Sequence, residues 1–155
     1  MEQAQINKIK ETIAEFFDKM TISTSSLAVS SDSAEQGEAV QADVKLDEPQ
    51  ILIGQQGQTL LEIQRLLRVI LNKKLQTTFY LNLDINDYKK KKVEYLKDLA
   101  KDLADQVALS KMTKKLSPMS SYERRIVHSE LSQRTDVTTE SEGEGLDRHI
   151  VIRPK

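Results

Sequence analysis

The sequence predicts an α+β protein built from two modules in series: a three-stranded sheet packed by helices, then a smaller helix-and-strand unit. Three observations carry that prediction. Apolar residues recur at helical spacing in some segments and alternate in others, and the two patterns interleave along the chain. The 155 residues match one ordinary domain or two small ones. Each half also has its own punctuation, a Gly-x-x-Gly at Gly54 to Gly57 and a Ser-x-x-Glu at Ser120 to Glu123.

Ile6, Ile9, Ile13, Phe16, Phe17 and Met20 lie at helical spacing, with Lys8, Glu11, Glu15 and Asp18 between them, so the chain opens on an amphipathic helix. From Thr21 the residues become small and β-tolerant, and Ser25, Leu27 and Val29 share one side of a strand. Ser30 to Glu38, which contains Gly37, reads as a longish loop. Val40, Ala42, Val44 and Leu46 then alternate with polar or small neighbours, the pattern of a half-buried strand that closes a hairpin.

Asp47, Glu48 and Pro49 mark a helix start, with Ile51, Leu52 and Ile53 continuing it for one turn before Gly54. A longer helix follows, striped by Leu60, Ile63, Leu67 and Ile70 and widened by Leu61, Leu66 and Leu71, with Lys73 and Lys74 in its last turn. Thr77 to Leu83 alternates as a third strand, with Phe79, Leu81 and Leu83 on one face. A Lys-rich helix begins near Asn86 and carries Tyr88, Leu96, Leu99, Leu103 and Val107. It doubles as a connector, which sets the modules at residues 1–84 and 85–155. The capping box at Ser120 and Glu123 starts a helix over Ser121 to Arg134. Two short strands, Val137 to Glu140 and His149 to Arg153, are joined by the turn-forming residues 141–145.

Composition excludes several functions. There is no cysteine, hence no disulfide, thiol nucleophile or thiolate metal site. No run approaches the roughly 18 apolar residues of a membrane span. The N-terminal segment has no unbroken apolar core of a signal peptide, so a soluble cytoplasmic protein is expected. Only His128 and His149 could act as imidazole bases, and no nucleophile elbow or nucleotide phosphate loop occurs. A metal site from the two histidines with Glu140, Glu142 or Glu144 matches no compact ligand spacing. No catalysis, cofactor or metal is expected.

The formal net charge of −1 conceals segregation. Residues 1–50 hold four lysines against ten acids, a net of −6. Residues 51–134 hold sixteen Lys and Arg against nine acids, a net of +7, and residues 135–155 hold three against five. An anionic partner belongs with the basic middle.

Two constellations lie there. Gly54-Gln55-Gln56-Gly57 sits between two helices, where glycines let a phosphate backbone come close to amide N–H groups at a helix start. Ile51, Ile53 and Leu60 would floor a groove for bases. In the second module Arg124 and His128 are i and i+4 on one helix, an exposed cation and imidazole suited to phosphate and base. Val127 and Leu131 form the inward pair. Of Lys89 to Lys92, at most two can address one ligand, because four consecutive residues encircle a helix. The acids of residues 139–145 could order Arg124 or Arg148.

These motifs carry a family resemblance. The order helix, strand, strand, short helix, Gly-x-x-Gly, helix, strand resembles a type II KH domain, and the carrying segment is LIGQQGQTLLEIQRLLRVILNKK. The segments PMSSYERRIVHSEL, TESEGEG and RHIVIRPK resemble an R-three-H domain, named for an Arg, three residues and a His. In this order, over nearly the whole chain, they resemble bacterial Jag (KhpB) proteins.

The resemblance implies a cytoplasmic RNA-binding protein linked to cell-envelope growth and division. Gly54, Gln55, Gln56 and Gly57 would clamp about four nucleotides of single-stranded RNA. Arg124, Arg125, His128 and Arg148 would hold single-stranded RNA or DNA. A small stand-alone KH protein is the implied protein partner. Three departures stand out. Members often carry a further N-terminal Jag domain, whereas this chain opens almost directly at the KH helix. The loop pair is Gln55-Gln56, where a basic residue is common. An expected arginine pair is Arg148-His149, half of it pH-sensitive. The alternative is a protein-interaction adaptor, docking through the acidic N-terminal half with nucleic-acid binding secondary.

Overall fold

A computed structural model describes residues 1–34 and 37–155. The chain divides into two compact units, Met1–Lys89 and Lys90–Lys155.

The first unit opens with helix α1 (Gln3–Lys19), started by a capping box between Glu2 and Gln5. Its apolar stripe buries Ile9, Ile13 and Phe17 completely. Strands β1 (Thr24–Ala34) and β2 (Gly37–Leu46) pair antiparallel, in register from Ala34↔Gly37 to Thr24↔Leu46, with an irregularity between Thr24 and Ser26. The strands therefore run well into the stretch expected as a loop. Ser30 to Ala34 and Gly37 to Glu38 are strand, and the rest of that expected loop lies outside the described residues.

Helix α2 (Gln50–Ile53) is a single turn capped by Pro49, so Asp47 and Glu48 precede it rather than occupy its first turn. A tight turn over Gln55–Gly57 leads into α3 (Gln58–Leu75), and β3 (Tyr80–Ile85) lies parallel to β2. The sheet order is β1-β2-β3. A parallel neighbour requires a crossover, and α2 with α3 supplies it. Leu60, Ile63, Leu67 and Leu71 of α3 face the core, while Ile70 of the expected stripe is half-buried. Val40, Ala42, Val44, Leu81, Leu83 and Ile85 meet them from the sheet. Burying a side chain such as Phe17 contributes about 2–3 kcal/mol.

Helix α4 (Tyr88–Ser110) begins in the first unit and continues into the second. The second core gathers Leu96, Ala100, Ala104 and Val107 of α4 with Val127 and Leu131 of α5 (Ser121–Leu131). The capping box expected at Ser120 forms, with the Ser120 hydroxyl accepting from Glu123 N and Glu123 Oε2 accepting from Ser120 N. Helix α5 stops at Leu131, short of Arg134. Arg134 instead bridges Asp105 and Asp136, each at 2.7 Å.

The second sheet has the order β4-β6-β5, from β4 (Lys114–Lys115), β5 (Val137–Glu142) and β6 (His149–Pro154), all antiparallel. Ile150 and Ile152 of β6 are fully buried. Among the described residues, no helix is long and apolar enough to cross a membrane.

Candidate nucleic-acid interface

The Gly54–Gly57 loop owes its shape to three residues with positive φ: Gly54 at 72°, Gln56 at 53° and Gly57 at 77°. A Cβ on Gly54 would collide with Thr59 Oγ1, and one on Gly57 would lie 2.7 Å from Tyr88 Cε1. Both glycines thus have a steric cause within the fold, independent of any ligand. Gly54 N–H donates to Gln50 O and Gly57 N–H to Gly54 O. Among the described residues, no backbone acceptor outside the turn takes the N–H groups of Gln55 or Gln56. Those amides sit one turn ahead of an 18-residue helix, whose positive dipole end favours an anion.

The three residues expected to floor a groove are not equivalent. Ile51 is 75% exposed, and Ile53 is partly buried against the first core. Leu60 is only 1% exposed and lies inside that core. Leu60 is therefore corrected from a contact surface to a support beneath one, because its helical position faces the sheet.

Beside α3, the free edge of β3 carries a polar chain that sequence patterning does not reveal. Leu83 N–H donates to Gln64 Oε1 at 3.0 Å, and Lys89 Nζ reaches the same oxygen at 2.5 Å and Asn82 Oδ1 at 2.7 Å. Asn82 Nδ2 in turn donates to Gln41 Oε1. Burial holds the Lys89 ammonium below its ordinary pKa, against the opposing pull of Asp84. The first lysine of the Lys89–Lys92 run is thus an internal hydrogen-bond donor. Arg68 of α3 lies 5.0 Å over the ring of Tyr80.

In the second unit α5 packs against β5, and this decides the environment of its two expected site residues. Arg124 and His128 are half-buried rather than exposed, while Arg125 is exposed. His128 Nδ1 lies 2.7 Å from Thr139 Oγ1, and its Nε2 lies 3.0 Å from Ser141 Oγ. Those residues are i and i+2 on β5, on one face of the strand, so the ring spans both hydroxyls. Burial first, and the Arg124 charge second, hold the imidazole pKa below its ordinary value. Arg124 Nη1 donates to Met119 O at 2.7 Å, closing the loop that precedes the helix.

The acidic turn binds neither Arg124 nor Arg148 through carboxylates. Arg148 Nη1 donates to the Gly143 carbonyl at 2.8 Å. The carboxylates of Glu140 and Glu142 go to Arg153, at 2.6 and 2.5 Å. The Arg153 hydrogen bond lowers the Glu142 pKa most. His149 Nδ1 lies 2.8 Å from the Asp147 carbonyl.

Among the described residues, the one grouping of three possible metal ligands is Asp43, Asp84 and Asp87, whose carboxylate oxygens fall within 4.8 Å of each other. Asp84 Oδ1 is already accepting from the N–H groups of Ile85 and Lys89. The histidines do not join such a group. The first unit offers backbone amides beside the exposed Ile51, and the second offers the exposed Arg125 with the half-buried Arg124 and Arg148.

Residues 94–154 match the R-three-H domain family. The chain is 34% identical over 149 residues to RNA-binding protein KhpB of Clostridium symbiosum, covering 96% of this chain and 66% of that protein. With the protein of the same name from Bacillus subtilis it shares 40% identity over 107 residues, 68% of this chain and 51% of the relative. With that of Streptococcus pneumoniae it shares 32% over 114 residues, 74% and 35%. The chain thus spans between about a third and about two thirds of the length of these relatives.

Proposed function

The chain belongs to the Jag/KhpB family, and from that premise we propose that it is a non-catalytic protein that binds single-stranded RNA. A type II KH domain over residues 1–84 and an R-three-H domain over residues 85–155 each contribute a contact. The observation that carries this function is the loop at Gly54–Gly57, with the Gln55 and Gln56 amides open ahead of α3. That arrangement accepts phosphate oxygens without a charged side chain.

In this mechanism the amides of Gln55 and Gln56 hold the RNA backbone while bases lie over Ile51 and Ile53. In the second module Arg125 meets phosphate from solvent. Arg124 keeps guanidinium N–H groups beyond the one spent on Met119, and Arg148 adds a further cation. His128 orients the face through its β5 hydroxyl partners. The chemistry needs no cofactor. From the family resemblance we assign the protein to cytoplasmic RNA regulation connected with cell-envelope growth and division, and we extend its ligands to single-stranded DNA.

A second role, docking a separate KH protein, is favoured by β1. It is an 11-residue edge strand whose only charge is Asp32 and whose irregularity is confined to Thr24–Ser26, so most of its length suits strand addition.

Anisotropy of a labelled 12-nucleotide single-stranded RNA, titrated at increasing salt, tests the RNA reading. Affinity should fall linearly on a log–log plot, with a slope of about −0.7 per phosphate neutralised. Absence of binding at low salt overturns it.

A further inference from the structure

The chain has seven aromatic residues and no tryptophan. Phe17 and Phe79 are spent in the first core. In the second unit two tyrosines remain largely in solvent, Tyr95 at 58% exposure and Tyr122 at 65%. Rings left in water add little to a core, so packing does not account for them.

Each has a cation on its own side, Lys92 for Tyr95 and Arg125 for Tyr122. Lys92 Nζ lies 5.7 Å from the Tyr95 ring centroid and 4.0 Å from Glu123 Oε1. Glu123 is locked in the Ser120 capping box. Tyr122 is its chain neighbour in the first turn of α5. Arg125, three residues further on, shares the Tyr122 side of the helix and is exposed. Among the described residues Arg125 has no carboxylate within ion-pair distance. Glu123 is offset by Lys92, and Asp98 stands three residues after Tyr95 on α4.

We propose that Tyr95 and Tyr122 are stacking platforms for unpaired RNA bases, with Lys92 and Arg125 receiving the adjoining phosphates. This rests on the RNA-binding function above and names the base contacts of its second module, which Arg124 and His128 do not supply. A nucleotide combines a flat π face with an anion, and each of these tyrosines sits beside a cation. An acidic peptide would use the cations but gain nothing special from two open rings. Stacking does not require the phenol hydroxyl and accepts any base, so the contact should be nearly blind to sequence.

The test measures anisotropy of 12-nucleotide oligouridine and oligoadenosine with the full chain, alongside thermal melting. Tyr95→Ala and Tyr122→Ala should each weaken binding about tenfold, while Tyr95→Phe and Tyr122→Phe stay within about twofold of wild type. Leu146→Ala, at a residue 98% exposed, is the control and should bind as wild type. Since tryptophan is absent, quenching of tyrosine emission on RNA addition should drop in each alanine variant.

Wild-type binding with unaffected, folded alanine variants overturns the stacking assignment and leaves RNA binding standing. Equal losses in the alanine and phenylalanine variants overturn it too, since the hydroxyl would then be the contact. Failure of the wild type to bind either oligonucleotide overturns the RNA function itself.

Discussion

His128 and Thr139 are joined by a 2.7 Å hydrogen bond between imidazole Nδ1 and the threonine hydroxyl, and Ser141 holds the other ring nitrogen. A helix residue and a strand residue eleven positions apart thereby fix the distance from α5 to β5. The neighbouring Arg124 is tied to Met119 O, so the Arg-x-x-x-His pair is part of the module's frame. What it presents to a ligand is the part of each side chain left over from that work.

The first consequence is a pH dependence. Burial and the Arg124 charge lower the folded-state pKa of His128, so the unfolded chain binds a proton at higher pH than the folded chain does. The contribution of His128 is complete above the ordinary histidine value of about 6.5 and is lost as pH falls through it toward the lowered folded value. The melting temperature should therefore fall between pH 7.5 and 5.5, above the carboxylate range. His128→Gln should flatten that slope, and an unchanged slope would assign it to other groups.

Thr139→Val removes one hydroxyl partner while keeping the β-branched shape. It should cost about 1 kcal/mol in denaturant unfolding, with Thr139→Ser restoring most of it. If valine is neutral, the hydroxyl does not hold the ring.

The two loop glycines should behave differently. At Gly54 a Cβ meets Thr59 Oγ1, Thr59 Cβ and the Thr59 backbone at φ 72°, so Gly54→Ala should destabilise by about 2–3 kcal/mol. At Gly57 the obstruction is one side chain, the Tyr88 ring, with no backbone atom in the way, so Gly57→Ala at φ 77° should cost less, about 1–2 kcal/mol. Calorimetric unfolding would rank them. Loss of RNA binding in Gly54→Ala would thus reflect folding as much as contact.

The loop's ligand role is better read from its side chains. Gln55→Asp with Gln56→Asp should repel phosphate and lower RNA affinity with the melting temperature unchanged. Gln55→Lys should raise affinity and steepen the salt dependence by about one phosphate contact. Unaltered affinity in both would remove the loop from the interface.

Asp84, 2% exposed, holds the N–H groups of Ile85 and Lys89 and so ties the end of β3 to the start of α4. Asp84→Ala would leave both donors unpaired and should cost about 2–3 kcal/mol. Asp84→Asn, which keeps an acceptor, should cost clearly less by urea titration.

The sequence alone determined what depends on near neighbours. The helical stripe of Ile9, Ile13 and Phe17, the alternation of Val40, Ala42 and Val44, and the Ser120–Glu123 box are legible because each repeats or closes within a few residues. The charge division and the Gly-x-x-Gly position are legible for the same reason. Only the tertiary structure decided that Leu60 turns into the core and that Lys89 serves Gln64 and Asn82. It likewise decided that β4 exists and that His128 rests on two hydroxyls. A strand of two residues has no period to detect. A partner eleven or twenty-five positions away is chosen by how helices and sheet pack, and that choice settles which polar groups lose their water. The residue types set out the chemistry available to a nucleic acid; burial and hydrogen-bond partners selected which of it remains to bind one.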